Sequence, residues 1–110
     1  MVFDQRQRHL AFVGAFEFED EDLYVSEILL NPEITAEDEE IDMSLIVPLR
    51  YIWRIAKSPF CEFLDLMGLS AKDCYERFAI PGPLVRAWLN GDGEPEPYLR
   101  LAIADAMGKV

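Results

Sequence analysis

The chain has 110 residues, 51% of them hydrophobic and 12% aromatic, which suffices for one domain, or one small domain with an appended element, without disulfide or metal staples. Two cysteines (Cys61, Cys74) and a single histidine (His9) exclude a tetrahedral zinc site and give no sign of a secreted disulfide scaffold. Net charge is −11, from 21 acids against 10 bases, a balance that works against binding to a phosphate backbone.

The charge is lopsided. Residues 1–51 hold 13 acids and 3 bases, net −10, whereas residues 52–110 hold 8 acids and 7 bases, net −1. At the start, Arg6 and Arg8 are not followed by a long apolar region, so no signal peptide is expected. No run approaches the roughly 18–20 apolar residues of a membrane span. A cytoplasmic protein is the expectation, with both cysteines reduced on apolar helix positions.

Leu10, Phe12, Phe16 and Phe18 recur at period two, which favours a strand, although Ala and Gly14 in the same stretch weaken it. Glu17 and the run Glu19, Asp20, Glu21 and Asp22 form a first acidic cluster. Residues 23–30 read equally as a strand or as a short helix capped by Asp22, stopped by Asn31-Pro32. Glu37, Asp38, Glu39 and Glu40 form a second cluster, in a loop or in the first turn of a helix. The compositional boundary lies near residues 43–48, so residues 1–47 are read as an acidic N-terminal extension and 48–110 as a helical domain.

From Pro48 the spacing is helical. Leu49, Ile52, Trp53 and Ala56 share one face, Lys57 suits the last turn, and Ser58-Pro59 stops the helix. Phe60, Phe63, Leu64 and Met67 repeat that spacing up to Gly68. Ser70-Ala71-Lys72-Asp73 is a capping-box-like start, followed by Ala71, Cys74, Tyr75 and Phe78 on one face and closure at Ile80-Pro81. Pro83 opens a short helix through Leu84, Val85 and Trp88 to Asn90-Gly91. A turn-rich loop then leads to a last helix over 98–107, whose apolar face is predicted to be Leu99, Ala102, Ile103 and Ala106, with Gly108 beyond its end. The predicted fold class is mainly α, with short strands allowed for in the N-terminal part, which would make it α+β.

The helices at 70–80 and 83–90, separated by two residues, have the spacing of a helix-turn-helix. Gly68-Leu69-Ser70, Phe78-Ala79-Ile80-Pro81, Trp88-Leu89-Asn90-Gly91 and the proline-bearing lead Glu94-Pro95 to Pro97-Tyr98-Leu99-Arg100-Leu101 occur in the order found in lambda-repressor/Cro-like (XRE-type) proteins. Over about 50 residues the chain resembles that family. The resemblance implies a helix-turn-helix domain whose second helix reads the major groove, and an origin on a phage or other mobile element. Lys72, Arg77, Arg86, Asn90 and Arg100 would then be the DNA-binding side chains. The start of the reading helix nevertheless carries Gly82, Pro83, Leu84 and Val85, none of which can bond a base edge, and Arg86 is the one side chain there suited to guanine.

No phosphate-binding loop, nucleophile elbow, zinc-protease motif or dinucleotide fingerprint occurs, and His9 has no catalytic companion at motif spacing. No enzyme, cofactor or metal is expected; neither acidic run has the spaced oxygens of a calcium loop. Trp53 and Trp88 are read as core residues rather than interface anchors. Two functions follow. In the first, the carboxylates, with Phe16, Phe18 and Tyr24 among them, imitate nucleic-acid phosphates. They would bind and block a basic nucleic-acid-handling protein in the manner of anti-CRISPR or anti-restriction inhibitors. The alternative is a small transcriptional regulator that contacts DNA through Arg86; a homodimer is one option, since the apolar face of the helix at 98–107 would close either the core or a dimer.

Overall fold

A computed structural model describes residues 4–109; Met1, Val2, Phe3 and Val110 lie outside the described residues, so the N-terminal segment considered above for a leader falls partly beyond them. The described residues form seven α-helices, two 3-10 turns and no strand: α1 (Gln5–Gly14), α2 (Glu21–Leu29), α3 (Ile46–Lys57), α4 (Phe60–Met67), α5 (Ala71–Phe78), α6 (Gly82–Leu89) and α7 (Pro97–Ala106). The fold is mainly α. None of these helices is long and apolar enough to cross a membrane. The chain divides into two compact units between Lys57 and Ser58. That division falls one helix after the compositional boundary near 43–48, because α3 packs on α1 and α2.

In the first unit, Asp4 caps α1. Its carboxylate accepts from the Gln7 amide at 2.8 Å, and the Gln7 side chain accepts in return from the Asp4 amide at 3.0 Å. The strand expected over 10–18 is instead helical. The burial pattern is carried by Ala11, Phe12 and Ala15, at i, i+1 and i+4, while Phe16 of the period-two set is left 39% exposed. Small residues make this possible. Gly14 ends α1 so close to α2 that an added Cβ would sit 3.0 Å from Ile28 Cδ1.

Residues 23–30 resolve the same way. Tyr24, Val25, Ile28 and Leu29 are buried at helical spacing, and the cap of α2 is Asp20, not Asp22, its carboxylate accepting from the Leu23 amide at 3.0 Å. Tyr24 is fully buried and donates its hydroxyl to the Ala11 carbonyl at 2.7 Å, tying α2 to α1. Burial pushes this hydroxyl far above the ordinary tyrosine range. Beyond a 3-10 turn over Met43–Leu45 capped by Asp42, α3 buries Leu49, Ile52, Ile55 and Ala56.

The second unit follows its sequence punctuation closely. Phe60, Phe63, Leu64 and Met67 are the buried face of α4, and Gly68 (φ 70°) ends it in the left-handed region. Ser70 and Asp73 form the expected capping box on α5, which holds the Asp73 carboxyl below the ordinary aspartate range through the Ser70 amide and hydroxyl. Ala79, also left-handed at φ 54°, lets the Ile80 amide reach back to the Cys74 carbonyl at 3.1 Å, and three residues, 79–81, join α5 to α6. Two details of side-chain direction differ from expectation. Cys74 is fully buried, but Cys61, next to Phe60 and turned off the buried face of α4, is exposed. In α7 the buried residues are Arg100, Ile103 and Ala104, whereas Ala102 and Ala106 are exposed and Leu99 is half-buried, so the face is rotated by about one residue.

Candidate functional site

The two residue sets singled out from the sequence lie in different units. In the first unit, Glu17 and Glu19 are exposed near the end of the 3-10 turn over Ala15–Glu17. Asp20 is engaged as the α2 cap. Glu21 and Asp22, in the first turn of α2, converge on Arg50 of α3 at 3.2 and 2.8 Å. The Asp22 hydrogen bond is the main reason the Arg50 guanidinium holds its proton still more firmly than usual. The first acidic cluster is therefore partly structural: three of its carboxylates order a helix start and neutralise an arginine. With 36–81% of these side chains exposed to solvent, each ion pair is weak by itself.

Glu37, Asp38, Glu39 and Glu40 behave differently. All four are exposed in the turn between Thr35 and Ile41 and make no ion pair among the described residues. The turn is shaped by backbone bonds such as the Glu39 amide to the Ala36 carbonyl at 3.0 Å, not by these carboxylates. Of the aromatics proposed to accompany the acids, Tyr24 is buried and unavailable to a partner. Phe18 is half-buried, and Phe16 is partly exposed under Lys57, whose ammonium lies 5.7 Å from its ring and 5.2 Å from that of Trp53. Lys57 also donates to the Phe18 carbonyl at 3.0 Å, so it serves this unit's own packing.

In the second unit, Lys72 and Glu76 pair along α5 at 3.7 Å, both highly exposed. Arg77 is exposed with its guanidinium 5.9 Å from the Phe78 ring. Arg86 and Asn90 are exposed, four residues apart, at the end of α6. Arg100 does not join them. It is 2% exposed, with its guanidinium 5.2 Å from the Phe63 ring, and burial lowers its pKa against the opposing field of Glu94. A side chain in the core cannot grip phosphate, so Arg100 leaves the DNA-facing set.

The start of α6 is apolar, as its composition requires. Val85 is fully buried, Pro83 is exposed and Leu84 is 46% exposed. Tyr75, expected on a buried face, is 38% exposed, its ring lying 3.5 Å from where a Gly82 Cβ would stand. Sequence reasoning missed Tyr75 as surface because its spacing matched Cys74 and Phe78; the bare Gly82 opposite it was the available signal. Trp88 packs edge-to-face on Phe60 at 5.2 Å and Trp53 lies 5.0 Å from Tyr24, but both indoles are only half-buried, so each rests on the core without being enclosed by it, unlike the core placement expected from their spacing. Among the described residues no group of histidine, cysteine and carboxylate side chains is placed to hold a metal.

No protein family model, no curated protein and no solved structure matches the chain.

Proposed function

We propose that the chain is a non-enzymatic, protein-directed module that binds a basic nucleic-acid-handling protein and blocks it, in the manner of an anti-CRISPR or anti-restriction inhibitor. The observation that carries this reading is the turn at 37–40. Four successive carboxylates stand in solvent with no cation of the described chain neutralising them, a charge density suited to a basic groove. The second unit supports it from the other side. The helix that would read DNA in an XRE-type scaffold begins Gly82-Pro83-Leu84-Val85, Lys72 is paired, and Arg100 is buried. On this reading the helix-turn-helix resemblance, a phage or mobile-element origin and a cytoplasmic location belong together, with the scaffold kept and its base-reading side chains lost.

The alternative is a DNA-binding regulator. Exposure of both Arg86 and Asn90 on α6 favours it, since two polar side chains four apart can meet adjacent base pairs. One pair of assays separates the two. The inhibitor ignores a random duplex pool at low salt, and captures a nuclease or other nucleic-acid enzyme whose activity falls on binding. Replacing the turn with Glu37→Gln, Asp38→Asn, Glu39→Gln and Glu40→Gln abolishes capture and leaves the helical content unchanged, because among the described residues none of the four caps a helix or pairs a cation. Salt-sensitive duplex binding that Arg86→Ala removes would overturn this reading in favour of the regulator.

A further inference from the structure

Beside Trp88 the second unit contains a pocket of about 170 Å³, lined by Pro59, Phe60, Trp88, Gly91, Gly93 and Glu94. Phe60, 2% exposed, lies beneath it, and Trp88, only half-buried, meets Phe60 edge-to-face at 5.2 Å. The loop on the far side is bare. Gly91 and Gly93 take φ of 82° and 106°, values that favour glycine, and a Cβ on Gly93 would stand 4.0 Å from Trp88 Cδ1. A side chain at Gly93 would begin to cover the indole, so the glycines keep that wall open. Glu94 supplies the only ionisable group in the lining.

We infer that this pocket is a docking site for an arginine side chain of a partner protein. Aromatic faces attract cations through their quadrupole. A guanidinium is also planar and weakly hydrated, so it can lie on an indole while its N–H groups bond a carboxylate in parallel. Trp88 with Glu94 offers that pair of contacts. Glu94, an exposed residue of the rim, gives the pocket a negative charge that an apolar occupant would leave unused, and an ammonium would give up more hydration for fewer hydrogen bonds. The same unit already packs one guanidinium against an aromatic ring: that of Arg100 lies 5.2 Å from the Phe63 centroid. The overall negative charge adds attraction for a basic chain. The biological source of the arginine rests on the reading of the chain as a binder of a basic partner; the affinity of the pocket for the side chain does not.

The test is a titration of the full, nitrogen-15-labelled chain with a capped Gly-Arg-Gly peptide, beside citrulline and lysine counterparts, followed by NMR. Saturable shifts are expected at the Trp88 indole N–H and the Gly91 and Gly93 amides. Glu94→Gln weakens binding about tenfold, the lysine peptide binds less tightly, and the neutral citrulline peptide causes no shift. Unmoved Trp88 and glycine signals at roughly 10 mM peptide, equal response to citrulline, or full affinity in Glu94→Gln would each overturn the inference. Shifts confined to residues 37–40 would do the same while leaving the partner-binding reading standing. Arginine binding at Trp88 by a chain that captures no basic partner would sustain the pocket and end that reading.

Discussion

Residues 4–57 and 58–109 are both helical, yet they start, stop and pack their helices by different means. In the first unit, carboxylates begin the structure: Asp4, Asp20 and Asp42 each accept backbone amides at a helix or turn start. Small residues then let helices approach closely, with Ala11 and Ala15 fully buried and Gly14 against Ile28. In the second unit, Gly68, Ser70 and Pro83 punctuate, and the rings of Phe60 and Phe63 fill the interior, with half-buried Trp88 packed at its edge. The contrast changes how the net charge should be understood. Five of the 13 acids in the first unit are committed to capping or to Arg50, and the longest uncommitted run lies at 37–40.

The largest expected effects test whether each unit depends on its own kind of core. Phe12→Ala and Phe63→Ala each remove a fully buried ring and should cost about 3–5 kcal/mol in urea unfolding. A cost under 1 kcal/mol for Phe12→Ala would mean that the small-residue packing of the first unit carries little of its stability. Next come the single polar contacts. Tyr24→Phe deletes the hydrogen bond to the Ala11 carbonyl, and Ser70→Ala deletes a capping box; each should lower stability by about 1 kcal/mol.

Glycines sharpen the comparison further. Gly68→Ala forces a left-handed φ of 70° on a residue with a Cβ and should destabilise by about 1 kcal/mol. Gly14 has helical angles (φ −61°), so Gly14→Ala gains helix propensity while displacing only the tip of Ile28. Its effect should stay within about 1 kcal/mol of zero. A strongly destabilising Gly14→Ala would show that the α1–α2 approach is tighter than a side-chain tip can accommodate.

Acid and thiol chemistry give the smallest signals. Asp73 and Asp42 both have carboxyl pKa values held below the ordinary range by hydrogen bonds, from Ser70 and from Ser44. A depressed folded-state pKa contributes stability above the ordinary aspartate pKa of about 4 and loses it as pH falls through the lower folded value. Melting temperature should therefore be flat with respect to these two groups near neutrality and decline below about pH 4, less steeply in Asp73→Asn. Alkylation under native conditions should modify exposed Cys61 and spare Cys74, whose thiol burial pushes above its usual pKa.

Most of the second unit was legible in advance because its signals are local. A capping box spans four residues, a left-handed glycine acts on the turn before it, and proline sets its own φ, so residues 58–109 needed no distant contact to declare their helices. The candidate site was less legible. Arg100 looked like a phosphate contact because charge usually marks surface, and its burial depends on Phe63, 37 positions earlier in the chain. The arginine also disguised the buried stripe of α7 and shifted its predicted face by one residue.

The sequence by itself determined the lopsided charge, the helical second unit and the apolar start of α6. Only the tertiary structure decided that residues 10–18 and 23–30 are helices, because aromatics at period two fit either state until Ala11, Ala15 and Tyr24 are seen to be buried. It also separated the acids that hold Arg50, 28 residues from Asp22, from the acids at 37–40 that hold nothing in the described chain. The reason is the same in each case. Propensity and capping act over a few neighbouring residues, whereas burial and pairing join positions that the chain order keeps far apart.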